Sequence, residues 1–240
     1  PAVAAAVALI LAVPPAWAQG GLIRDAEIEH ISRDWATPLF AAAGLIPSDV
    51  EIHLINDPAI NAFVAGGQKV FLNTGLLLAA ETPDQVMGVI AHETGHLAGG
   101  HLARTQEALA KANVQTIMAF LLGAAAVAGG ANGDAGAALV LGGQQVAQRG
   151  LLQYSRAQES AADQAAFELI ARIGQNPEGL VEFLQIIARQ EGLLEDRRDP
   201  YVRSHPLFPD RIAALRARID LATPGPVLPP LVTEEAFDRM

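Results

Sequence analysis

Residues 92 to 96 read His92-Glu93-Thr94-Gly95-His96, an H-E-x-x-H pattern inside a segment that should be helical. Two imidazoles four residues apart on a helix project from one face, one turn apart. That spacing lets both bind a single Zn²⁺, while Glu93 lies about 100° round the helix and reaches a water rather than the metal. The pattern points to a zinc peptidase with Glu93 as general base.

The local context favours that reading over an amphipathic helix that happens to carry His and Glu on a wet face. Thr82-Pro83-Asp84-Gln85 is a helix start, with Thr82 as N-cap, Pro83 at the first helical position and Gln85 placed to close a capping box. Val86, Met87, Val89, Ile90 and Leu97 then supply a nearly continuous apolar surface, and Gly99-Gly100 ends the helix. His92, Glu93 and His96 are therefore polar groups on a helix bound for the core, where polar groups need partners.

A catalytic zinc usually takes three protein ligands and a water. In the pattern H-E-x-x-H-x-x-G-x-x-H the third is a later histidine. Here Gly99 is in place but Leu102 stands at the last position, and His101 is one residue short. A one-residue slip redirects the side chain, so His101 reads as a helix-end or surface histidine. The other source of a third ligand is a glutamate on a later helix. Glu159 and Asp163 stand at i and i+4 and share a face. Glu159 can ligate while Asp163 accepts an N–H from a ligating histidine. On spacing alone a solvated ion-pair row of Arg156, Glu159 and Asp163 fits as well.

His92-Glu93-Thr94-Gly95-His96, taken with Ser155, Arg156, Glu159, Ala162 and Asp163, resembles the HtpX-like and CAAX-prenyl-protease-like zinc metallopeptidases, peptidase family forty-eight. Asn61-Ala62-Phe63, the run Gly66 to Leu77, Ser204-His205-Pro206 and Arg211 also resemble that family. Within it the chain is most similar to the soluble periplasmic BepA-type branch rather than to the multi-span membrane members. The resemblance implies a gluzincin-type α+β domain, mainly helical, with a small sheet and an H-E-x-x-H active-site helix. It implies one Zn²⁺ per chain on His92, His96 and Glu159, with Asp163 behind a histidine.

In that scheme Glu93 takes a proton from the attacking water and passes it to the leaving amine. A second electrophile for the oxyanion would come from Tyr154, Arg203 or His205. His205 has another role open to it: a fourth zinc ligand that holds the enzyme latent. Along Gln68, Lys69, Val70, Phe71 and Leu72 the side chains alternate as in a strand. As an edge strand this segment would bind extended substrate by main-chain hydrogen bonds; it also reads simply as one more strand of a small sheet. His53 points with Glu51 to the polar side of the preceding strand, and His30 sits in an acidic helix; neither reads as a ligand.

The formal net charge of −10 argues against nucleic acid as a partner, and the absence of cysteine excludes a thiolate mechanism and a disulfide framework. Ala2 to Val13 is a short apolar run followed by Ala16-Trp17-Ala18, which resembles the end of a signal peptide cleaved near Ala18. The expected organisation is a signal-peptide remnant at 1–18, a zinc metallopeptidase domain at 19–222 and a linker and tail at 223–240, leading in related proteins to a repeat region. Residues 114–148 read as an apolar helical hairpin with a Gly-rich tip, each arm under the about 20 residues a bilayer span needs. It is open to two readings, a packing element or one that touches membrane or gates substrate. The expected activity is hydrolysis of misfolded or misassembled envelope polypeptides in the periplasm. The competing expectation is a largely latent chaperone or assembly factor on the same fold.

Overall fold

The computed structural model describes residues 21–191, 204–206, 209–222, 228–231 and 233–240. The expected signal-peptide segment and Arg203 lie outside the described residues.

The fold is mainly helical with one small mixed sheet. Strands β1 (Leu22–Ile23), β2 (Glu51–Ile55), β3 (Ala62–Ala65) and β4 (Lys69–Asn73) lie in the order β1-β2-β4-β3. β2 and β4 are parallel, with Ile52 opposite Val70 and Leu54 opposite Leu72. These four side chains form the core face. Alternation puts Glu51, His53, Lys69 and Phe71 on the outer face. There the His53 ring stacks on Phe71 with centroids 5.1 Å apart, and Lys69 donates to Glu51 at 3.1 Å.

Because β3 pairs antiparallel with the other side of β4, the Gln68–Leu72 segment is not an edge. A strand with partners on both sides has no ladder left to offer a substrate. Among the described residues the edge on that side is β3.

The helices are α1 (Ala26–Ala42), α2 (Thr74–Ala79), α3 (Pro83–Ala98), α4 (His101–Ala128), α5 (Gly133–Arg172), α6 (Glu178–Glu191), α7 (Pro209–Leu221) and α8 (Glu234–Asp238). α3 is the central element. Val86, Met87, Val89 and Ile90 are at most 1% exposed, so this helix is enclosed on every side by α1, α5, α6 and the sheet. Leu180, Phe183, Leu184 and Ile187 make the apolar stripe by which α6 covers it. Thr82 is the N-cap of α3, but its side chain makes no cap bond. Gln85 reaches back one residue further than a capping box requires, and its Oε1 accepts from the Glu81 N–H at 2.8 Å.

Two features bring the site together. Gly95, inside the H-E-x-x-H pattern, faces α5 so closely that a Cβ there would lie 2.9 Å from the Ala162 carbonyl oxygen. Lacking one, it lets the α3 and α5 backbones approach where Glu159 and Asp163 must reach the histidines. The hairpin is also longer than its apolar part: α4 begins at His101, and α5 runs 40 residues unbroken from the hairpin tip to Arg172, carrying Glu159 and Asp163.

Candidate metal centre

Helix α3 presents His92 and His96 on one face with their Nε2 atoms 3.0 Å apart. Glu159, from α5, places Oε2 3.3 Å from His92 Nε2 and Oε1 3.3 Å from His96 Nε2. His205 adds its Nδ1 at 3.4 Å from both His92 Nε2 and Glu159 Oε1. One ligand atom from each of these four residues falls within 4.8 Å of all the others. Donors bound at about 2.0–2.1 Å round a tetrahedral ion would sit roughly 3.3–3.4 Å apart, which these close separations match.

The charges support the same conclusion. Glu93, Glu159 and Asp163 are buried, and Arg211 is the one buried guanidinium beside them among the described residues. Three carboxylates against one guanidinium are an excess of negative charge in a low-dielectric setting, which a proton on His92 offsets in part and a divalent cation would offset in its place. The groups respond to one another accordingly. Burial works against charge on His92, but Asp163 and Glu159 outweigh it and hold its pKa up at about 9. Burial also opposes ionisation of Glu159, yet His205, His92 and His96 hold its carboxyl far below the usual range. His96 is lowered, chiefly by burial.

Each member of the cluster is held from behind. Asp163 Oδ1 lies 2.9 Å from His92 Nδ1, behind the ring, while Nε2 faces the cluster; with an ion on Nε2, Nδ1 would be the proton-bearing nitrogen. Arg211, from α7, donates through Nε and Nη2 to the two oxygens of Asp163, both at 2.7 Å, and its Nη1 is 2.9 Å from Glu159 Oε2. One guanidinium thus fixes the carboxylate behind His92 and the carboxylate in the cluster together. In sequence, Arg211 stood out only through the resemblance. Nothing local marks it as the partner of residues 48 and 52 positions earlier.

His101 is neither exposed nor a cluster donor. It is 6% exposed, and its Nδ1 lies 2.9 Å from His96 Nδ1. The one-residue slip that takes it away from the cluster carries it behind His96 instead. The α3–α4 turn at Gly99-Gly100, with Gly100 at φ +61°, folds it back there. Burial, then His96 and Arg104, bring its pKa down to about 4, so it remains a neutral acceptor.

Glu93 is fully buried, and neither carboxylate oxygen has a hydrogen-bond donor. Its Oε1 is 3.3 Å from His205 Nε2, which also lies 3.1 Å from the carbonyl oxygen of Ala62 on β3. Glu93, His96, Glu159 and His205 open onto a cleft of about 330 Å³ walled by Phe63, Val64, Leu109 and Tyr154. The Tyr154 hydroxyl accepts from Gln158 Nε2 at 2.5 Å. His30 and His53 stay at the surface beside Asp34 and Glu51, away from the cluster.

The sequence model of Peptidase family M48 matches residues 23–219. A relative from Vibrio cholerae is 31% identical over 197 residues, which is 82% of this chain and 40% of that protein. The Beta-barrel assembly-enhancing protease of Yersinia pestis is 27% identical over 209 residues, 87% of this chain and 42% of its own length. Metalloprotease LoiP of Escherichia coli strain K12 is 28% identical over 180 residues, 72% of this chain and 63% of that protein. The chain thus spans about two fifths of the first two relatives' length. With a family match over most of its length and a donor cluster suited to a divalent ion, the chain belongs to peptidase family M48, a family of metallopeptidases.

Proposed function

We propose that the chain is a zinc-dependent metalloendopeptidase acting on misfolded or misassembled cell-envelope proteins. The observation that carries the reading is the buried Glu93 carboxylate facing the cleft beside four convergent ligand atoms. His92, His96 and Glu159 would hold the ion, with Asp163, Arg211 and His101 fixing their orientation. When bound, zinc supplies Lewis acidity toward water and the scissile carbonyl. Glu93 takes the proton of the attacking water and returns it to the leaving amine. Edge strand β3 offers backbone along one wall of the cleft, and extended peptide would pair there through main-chain bonds, giving broad sequence tolerance. Tyr154, which lines the same cleft, is the candidate donor to the oxyanion.

The Beta-barrel assembly-enhancing name of relatives supports an envelope substrate, and the Ala16-Trp17-Ala18 site supports export to the periplasm. The test is Glu93→Gln. It should abolish cleavage of an unfolded protein such as casein while bound zinc stays stoichiometric. Full proteolysis in that variant overturns the reading.

A second reading has a specific observation behind it. His205 Nδ1 sits among the ligand atoms, where the water would have to be. A protein kept in that arrangement is largely latent, and an envelope function that survives Glu93→Gln would mark it as a chaperone or assembly factor.

A further inference from the structure

The α4–α5 hairpin is built inside out for a soluble protein. Its buried residues are small: Ala112, Ala119, Gly123, Gly136 and Ala147. A Cβ on Gly123 would lie 2.7 Å from the Gly136 carbonyl oxygen, and one on Gly143 would collide with the Ala119 Cβ. Its large apolar residues face outward. Ile117, Met118, Phe120, Leu121, Leu122 and Leu141 are each more than half exposed. At 100° per residue, the five on α4 cover about 200° of that helix, in effect everything that does not face α5. A protein partner covers one side of a hairpin, whereas a fluid apolar solvent covers every side. Small residues between close-packed backbones with large ones turned outward are the packing of helices in lipid.

The charges and dimensions agree. Between residues 102 and 156 the charged residues are Arg104, Glu107, Lys111, Asp134, Arg149 and Arg156, locally basic in a chain of net charge −10. None lies between Lys111 and Asp134, or between Asp134 and Arg149. Lys111 lines a groove with Ala147 and Gly150, so Lys111 and Arg149 form a basic collar at one level of the hairpin. By length and composition α4 could cross a membrane. Its uninterrupted apolar part is shorter. Ile117 to Ala128 rises about 18 Å and Ala135 to Gly143 about 14 Å, close to half of a hydrocarbon core of about 30 Å.

We propose that the distal half of the hairpin inserts into one leaflet of a phospholipid bilayer, with Lys111 and Arg149 at the phosphate level. Asp134, at the tip, is then the one charge working against insertion. The proposal concerns a part of the molecule remote from Glu93 and does not depend on catalysis.

The chain has no cysteine, so single cysteines report without background. The experiment places an environment-sensitive fluorophore at Leu121→Cys, Leu141→Cys and, as a control, Leu78→Cys, 84% exposed on α2. The probe is vesicles of phosphatidylethanolamine with a minor share of phosphatidylglycerol. Labels at 121 and 141 should shift to the blue and be quenched by spin-labelled acyl chains, while the label at 78 does neither. Leu121→Asp with Leu141→Asp should weaken vesicle flotation by about a hundredfold or more, and Asp134→Asn should strengthen it. A misfolded variant would not produce that opposite pair of effects. Labels at 121 and 141 that ignore vesicles overturn the proposal. So does a blue shift that appears without lipid as protein concentration rises, which would mean a second copy covers the hairpin.

Discussion

His101 and His96 meet nitrogen to nitrogen, with Nδ1 2.9 Å from Nδ1. With His96 Nε2 holding the ion under the proposed function, its Nδ1 would carry the hydrogen and donate it to His101. Removing the acceptor frees the His96 ring to turn and its tautomer to exchange. Loss of such a bond costs about 10–100-fold in metal affinity. His101→Ala should show that loss in chelator competition, and His101→Gln, which keeps an acceptor, should recover part of it. Unchanged zinc affinity in His101→Ala would remove the assigned role.

Arg211 neutralises two buried carboxylates, so its loss should be felt in stability before activity. Arg211→Met leaves Asp163 and Glu159 without their shared guanidinium, and uncompensated buried charge costs roughly 3–5 kcal/mol. Urea unfolding of the metal-free protein measures it. Arg211→Lys should rescue little, because an ammonium cannot make the paired bonds to both Asp163 oxygens.

Gly95→Ala adds one methyl where there is no room, against the backbone of Ala162. The helices must part by a few tenths of an ångström, at a cost of about 1–3 kcal/mol. Because the parting separates Glu159 from the histidines, zinc affinity should fall further than thermal stability does. Calorimetric titration beside a melting curve distinguishes the two.

On the latent reading, His205→Ala would remove the Nδ1 atom from the cluster and free a position for water. Peptidase activity should rise about tenfold, equivalent to roughly 1.4 kcal/mol of barrier. A fall of similar size would instead assign His205 to the oxyanion.

Asp84, in the first turn of α3, has its carboxyl pKa raised by burial and by Glu182. A carboxyl raised in the folded state takes up protons on folding. It therefore favours folding most in acid, and that advantage falls as pH rises from the unfolded pKa through the folded one. Asp84→Asn should remove this slope: relative to the variant, the parent loses stability as pH rises above about 4. Denaturant midpoints across that range check it.

What the sequence made legible follows from distance along the chain. His92, Glu93 and His96 are related by a single helical turn, and Glu159 and Asp163 by another, so helix period alone groups each set. That the two sets meet depends on the close approach at Gly95, a contact no local pattern encodes. Arg211 is an arginine among several on α7, distinguished only by what lies across from it. His101 misled because the ligand pattern asks whether a histidine reaches the metal and not whether it stands behind one that does. The strand pattern at Lys69–Asn73 was legible, but its neighbours were not. The parallel pairing of β2 with β4 places β4 between β2 and β3, and alternation within a strand does not reveal which strands flank it.

The unbroken run of α5 from the hairpin tip to Arg172 makes that helix a strut. Glu159 stands 16 residues beyond Gly143, about 24 Å further along the same rod. Nothing flexible separates the outward-facing hairpin from the cluster, so a tilt imposed at one end arrives at the other as a displacement of Glu159 and Asp163 relative to α3. On the proposed insertion, docking and the metal site would share one rod, and the length of a single helix would set how far from the bilayer Glu159 stands.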